Sequence, residues 1–91
     1  MLQAYKECWV CGYEGDALHR HHIYGGKGRR DLSERYGLVV WLCYRHHNGS
    51  NEGVHFNHTL DLKLKQEGQR YYEQTIGTRE QFRSAFNKSY L

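Results

Sequence analysis

The chain is expected to fold as a small α+β domain stapled by zinc. Three observations carry that expectation: its length of 91 residues, two metal-chelating residue pairs far apart in sequence, and a switch from strand-like to helix-like patterning near residue 57. A chain of this size buries only about two-thirds of the surface its unfolded form exposes, so an apolar core alone leaves thin stability. Small folds of this kind commonly add disulfides or a metal. The cysteines are Cys8, Cys11 and Cys43, an odd number that argues against a closed disulfide framework. No secretory h-region follows Met1, and no apolar run nears the roughly 18 residues of a membrane span. A soluble protein of a reducing, cytosol-like compartment is expected, where cysteines serve as metal ligands more often than as disulfides.

The elements follow in order. Ala4 to Gly15 holds a turn-like knuckle, Cys8-Trp9-Val10-Cys11-Gly12, bounded by aromatic residues. Leu18 to Tyr24 reads as a short strand ended by Gly25 and Gly26. "GGKGRRDLSERYG" reads as a basic, glycine-rich loop with one short helical turn. "LVVWLC", Leu38 to Cys43, is β-branched and apolar and is the best strand in the chain. After the turn cluster "NGSNEG", Asn57 or Thr59 can cap a helix on which Leu60 and Leu64 share a face, with Tyr71 and Tyr72 extending it. Gly68 weakens that helix by roughly 1 kcal/mol relative to alanine. Gly77 ends it, and Thr78 with Gln81 forms a capping-box pattern for a last helix. Phe82 and Phe86, spaced i, i+4, are expected to pack that helix onto the core. A single domain therefore spans 1–91, with knuckles and core in 1–58 and helices in 59–91.

The net charge of +3 is unevenly distributed. Between Ala17 and His47 stand six basic residues (Arg20, Lys27, Arg29, Arg30, Arg35, Arg45) and two acids (Asp31, Glu34), a local excess of +4. The same segment carries five of the seven histidines. A basic patch beside a histidine cluster suits a phosphate-bearing ligand; an ordinary solvated charged face is the alternative from charge alone.

Cys8-x-x-Cys11 and Cys43-x-x-His46 are the two chelating pairs, separated by 31 residues. Tetrahedral zinc takes four soft or borderline ligands, and two intervening residues let one tight turn aim both side chains at one ion. A lone C-x-x-C also occurs in redox sites, but a second pair after a strand, and Gly12 after the first, favour a Cys3His zinc site. His47 can substitute for His46; the spacing favours His46 and leaves His47 for another task. "LHRHHIYGG" then supplies three further imidazoles, His19, His21 and His22.

With "HHI" (His21 to Ile23), "LCYRHH" (Leu42 to His47) and a C-x-x-C before both, the chain resembles the HNH endonuclease superfamily of ββα-metal (His-Me finger) nucleases. Its tail, "LKQEGQRYYEQTIGTREQFRSAFNKSYL", resembles that of small bacteriophage HNH proteins. The resemblance covers nearly the whole chain. It implies a ββα-metal fold with additional C-terminal helices, and a structural zinc on Cys8, Cys11, Cys43 and His46. It further implies a catalytic divalent metal, Mg²⁺ or another ion such as Mn²⁺ or Ni²⁺, on His21 and His47, with His22 as general base. His55, Asn57 or His58 could reach that metal from the helix start, His55 being the candidate extra ligand. His58 and His19 are expected to be structural or exposed. The family's asparagine would fall near Leu38, yet no asparagine occurs from Met1 to His47, so another group is expected to brace the loop carrying the base.

Phosphodiester hydrolysis needs a base titrating near neutral pH, which histidine provides, and positive charge on the developing oxyanions, which a divalent ion provides. Lys27, Arg29 and Arg30 are the candidates for holding neighbouring phosphates, and Gly25, Gly26 and Gly28 let backbone approach nucleic acid closely. The activity the resemblance implies is metal-dependent DNA cleavage or nicking with 5′-phosphate and 3′-hydroxyl ends, in the cytoplasm of a phage-infected or prophage-carrying bacterium. Sequence specificity would call for a homodimer or a phage partner protein. The alternatives are a catalytically silent, zinc-stabilised nucleic-acid-binding module, and an interaction module using the eight tyrosines.

Overall fold

The computed structural model describes residues 2–49 and 52–91; the turn cluster expected around "NGSNEG" lies partly outside them. The order is β1 (Leu18–His22), α1 (Arg29–Tyr36), β2 (Val39–Cys43), α2 (Tyr44–His47), α3 (His58–Thr75) and α4 (Arg79–Phe86). The fold is α+β. Its one sheet among the described residues is an antiparallel pair whose register sets Leu18 opposite Cys43, Arg20 opposite Trp41 and His22 opposite Val39.

The two strands form as expected, because Val39, Val40 and Leu42 are fully buried and need a pleated backbone to reach the core. The knuckle packs against β2, with Cys8 buried in the core cluster. Gly12 takes φ 77°, closing the turn in which its N–H meets the Cys8 carbonyl at 2.8 Å. The Trp9 N–H then donates to the Trp41 carbonyl at 2.8 Å, and the Gln3 side chain accepts from the Trp41 N–H at 2.7 Å. The N-terminal segment is thereby tied along β2.

The basic loop between the strands departs from expectation: α1 is eight residues long, not a single turn. Its flanking glycines disguise it in the sequence, yet they are what delimit it, with Gly28 at φ 83° and Gly37 at φ 69°. Leu32 and Tyr36, four apart, pack against the core. Ser33, wholly buried, turns its hydroxyl onto Tyr24, accepting from the N–H at 3.2 Å and donating to the carbonyl at 2.9 Å.

Asn57, not Thr59, caps α3, its side chain accepting from the Leu60 N–H at 3.1 Å. The Thr78–Gln81 capping box opens α4. Phe82 and Phe86 are fully buried, and Tyr24, which was expected to close the first strand but lies two residues past its end at His22, stacks among Phe82, Phe86 and Tyr90 at 5.4, 4.5 and 5.6 Å between centroids. That aromatic cluster joins the helical half to the strand pair. The buried Gln69 amide holds the last residues, accepting from the Tyr90 N–H at 2.7 Å and donating to Ser89 at 3.0 Å. No helix among the described residues is long and apolar enough to cross a membrane.

Candidate metal centres

The junction of β2 and α2 decides the geometry of two clusters. Cys43 closes the strand, and the short helix Tyr44–His47 then turns His46 and His47 to different sides. His46 joins the cysteines: its Nδ1 lies 3.3 Å from the Cys43 sulfur and 3.6 Å from the Cys8 sulfur, while the Cys11 and Cys43 sulfurs are 3.8 Å apart. Zinc bonds of about 2.3 Å to sulfur and 2.0 Å to nitrogen in a tetrahedron give ligand separations of about 3.5 to 3.8 Å, so the four atoms outline the polyhedron such an ion fills. A disulfide brings its sulfurs to about 2.05 Å; the three cysteines here are free. Burial pushes the Cys8 thiol up, but backbone hydrogen bonds from Cys43, Cys11 and Val10, with the Cys11 side chain, outweigh it and bring Cys8 down to about 6. That direction favours the thiolate, the form that ligates. Cys8, Cys11, Cys43 and His46 can therefore hold a metal such as zinc.

His47 meets His21 and His55 instead, the three offering ring nitrogens within 4.8 Å of one another. His21 reaches the cluster from the buried face of β1. His55 arrives by a return of the chain: after the loop, the Val54 N–H donates to the His46 carbonyl at 2.7 Å and the His55 N–H to the His47 carbonyl at 3.4 Å. Val54 is buried and anchors that return. The Nε2 atoms of His47 and His55 stand 3.0 Å apart. His21 Nε2 is buried with no hydrogen-bond partner among the described residues. Burial, and then the neighbouring His47 and His55, push His21 down to about 3; burial, then His55 and His19, push His47 down to about 4. Both imidazoles are neutral near pH 7.

A cleft of about 500 Å³ opens beside this cluster, lined among others by His22, Arg30, His58, Asp61 and Lys65. Of the basic residues expected to meet phosphate, Arg30 lines the cleft, Lys27 lines a shallow depression next to it with Arg30, and Arg29 lies outside both. Sequence reasoning missed Lys65 and Asp61, which α3 brings to the cleft and which pair with each other at 2.8 Å. It also left His58 and His19 without a place. His58 is in the cleft wall. His19 shares a strand face with His21 and sets its Nδ1 2.8 Å from His47 Nδ1, where the Asn48 amide also lies, at 3.1 Å. The i, i+2 spacing of His19 and His21 was the available signal.

His22 sits apart from the three-histidine cluster. Its Nε2 lies 2.7 Å from Glu34 Oε1, and Arg20 grips the same carboxylate with Nε at 2.8 Å and Nη2 at 2.7 Å. Leu38, near which an asparagine was expected, is a fully buried core residue; the backbone beyond His22 is braced by the Ser33 hydroxyl instead. No protein-family model, curated protein or solved structure matches the chain.

Proposed function

We propose that the chain is a metal-dependent phosphodiesterase. More particularly, we read it as an HNH-type DNA endonuclease or nickase, with the zinc of a ββα-metal fold on Cys8, Cys11, Cys43 and His46. The observation that carries this reading is the division of His46 and His47 between two donor clusters, one cysteine-rich and one all imidazole, beside a basic cleft. The cysteine-rich set suits a structural zinc. The second set leaves a buried His21 nitrogen unpartnered, at a cost of about 1–3 kcal/mol, and an ion among the three rings satisfies it. An all-imidazole set favours Ni²⁺ over the oxygen-seeking Mg²⁺, with Mn²⁺ between them.

His21, His47 and His55 would hold that ion, which when bound supplies positive charge to the phosphoryl oxygens and the departing oxygen. His22 takes the proton from the attacking water as the water oxygen bonds to phosphorus. The bond from phosphorus to the 3′-oxygen breaks, and that oxygen gains a proton from solvent, leaving 5′-phosphate and 3′-hydroxyl ends. Arg30 and Lys65 hold phosphates along the cleft, Arg30 by its bidentate fork, and Lys27 and Arg29 extend the basic surface beside it.

The test is incubation of the purified protein with supercoiled and linear duplex DNA in Mg²⁺, Mn²⁺ or Ni²⁺, with His22→Ala as control. Nicking or cleavage that the variant lacks is expected; no cleavage with any metal, or equal cleavage by the variant, rejects the reading. The competing reading is a silent zinc-stabilised nucleic-acid-binding module, favoured by the fully buried Leu38 near which the asparagine would fall. It predicts salt-dependent DNA binding without turnover and a single metal per chain.

A further inference from the structure

We propose that Glu34 is the positioning residue of His22, holding its imidazole with Nε2 protonated and Nδ1 bare. The inference rests on the reading of His22 as the general base. A carboxylate accepts and cannot donate, so the 2.7 Å contact from His22 Nε2 to Glu34 Oε1 requires the proton to sit on Nε2. In a neutral imidazole that leaves the Nδ1 lone pair as the only basic site. The tautomer is therefore chosen by the carboxylate, and the ring plane with it.

Glu34 can do this because it is itself held from two sides. Arg20 binds it through both Nε and Nη2, a fork that fixes the plane of the carboxylate as well as its distance. The Arg20 guanidinium in turn lies 5.7 Å from the centre of the Trp41 ring, its cross-strand partner. From the other side, Glu34 follows Ser33, which is fully buried, bonds both backbone groups of Tyr24, and accepts the Leu38 N–H on its carbonyl at 2.8 Å. Helix α1 is thereby tied to the segment that continues the strand carrying His22. The side chains of Arg20 and Glu34 are about two-fifths exposed, at 41% and 42%. Ion pairs in that setting add little to stability, so the arrangement is better explained by orientation of the imidazole than by support of the fold.

Two measurements test it on the full zinc-loaded chain. Long-range ¹H–¹⁵N correlation spectra at pH 8 report which nitrogen of His22 carries the proton. The wild-type chain is expected to show Nε2–H, and Glu34→Ala a mixture of both tautomers; the same tautomer in both chains overturns the proposal. These spectra need no DNA cleavage, so they stand or fall separately from the nuclease reading. In cleavage kinetics, Glu34→Ala is expected to lower kcat roughly 10- to 100-fold with KM little changed. Glu34→Gln, which keeps an oxygen acceptor for Nε2–H, should recover part of that loss. An unchanged kcat in Glu34→Ala, or a Glu34→Gln enzyme as slow as Glu34→Ala, overturns the positioning role.

Discussion

The Nδ1 atoms of His19 and His47 lie 2.8 Å apart. Two bare lone pairs do not approach so closely, so one nitrogen carries a proton that the other accepts. If His47 is to present Nε2 to the cluster with His21 and His55, its proton belongs on Nδ1, where His19 Nδ1 accepts it and the Asn48 side chain, 3.1 Å away, turns its amide oxygen toward it. Orientation of a ligating histidine through its second nitrogen typically changes metal affinity 10- to 100-fold. His19→Ala is therefore expected to weaken Mn²⁺ or Ni²⁺ binding by about that factor in calorimetric titration of zinc-loaded protein, with zinc content near one per chain. An unchanged affinity contradicts the role given to His19.

The adjacent histidines His46 and His47 make a matched pair of variants. His46 stands with three cysteines, two before β1 and one at the end of β2, so a metal there ties the N-terminal knuckle to the strand pair. In small zinc domains, metal binding energy is folding energy. Cys43→Ser, Cys8→Ser or chelation of the metal should abolish the cooperative thermal transition followed by circular dichroism. His46→Ala should lose zinc by elemental analysis. His47→Ala should keep zinc near one per chain while losing DNA cleavage. A near-unchanged melt in Cys43→Ser, or zinc loss in His47→Ala, would show that the ligands are wrongly divided.

What the sequence revealed and what it hid follow from the range of each interaction. The Cys8–Cys11 and Cys43–His46 pairs are local, since a three-residue spacing already aims both side chains together. Val39 to Cys43 advertises its strand through β-branching and burial, and Thr78 with Gln81 writes a helix start into four residues. Helix α1 is weakly marked in the sequence because only Leu32, Ser33 and Tyr36 turn inward and glycines flank it. Its consequence was hidden with it: Glu34 reaches His22 only when α1 folds back on β1, which no periodicity encodes. His55 was expected to approach the site from the start of the helix; it lies before α3, and its approach to His47 comes from the backbone return that pairs Val54 and His55 with the carbonyls of His46 and His47.

The carboxyl of Glu34 offers a pH-dependent signature of that fold-back. Hydrogen bonds from Arg20 and then His22, both on β1, hold it well below its ordinary 4.5, at about 2. A depressed carboxyl contributes stability that is present above the unfolded value near 4.5 and lost as pH falls through about 2. Between pH 7 and 4.5 the Glu34 side-chain carbon signal should therefore stay flat in wild-type protein, where a free glutamate already titrates. Arg20→Ala removes the largest cause, so its signal should begin to move in that window. A wild-type signal that titrates as in the variant shows that the carboxylate is not held.

Gly68 gives the sharpest contrast between propensity and packing. On helix propensity alone, Gly68→Ala stabilises α3 by roughly 1 kcal/mol. The structure reverses the sign. A Cβ at this position would lie 2.8 Å from the Tyr24 hydroxyl and 3.2 Å from its ring. Tyr24 cannot withdraw: it is 1% exposed, wedged among Phe82, Phe86 and Tyr90, and its hydroxyl donates to the Lys65 carbonyl on the same helix. Overpacking in such a place costs typically 1–3 kcal/mol, which exceeds the propensity gain at most of that range. Gly68→Ala is expected to lower the urea midpoint with little change in slope. Tyr24→Phe removes the closest atom, so the alanine should cost less in that background, and the double-mutant cycle should give a favourable coupling of about 0.5 kcal/mol or more. A Gly68→Ala protein more stable than wild type by the full propensity difference would mean that α3 does not press this closely on Tyr24.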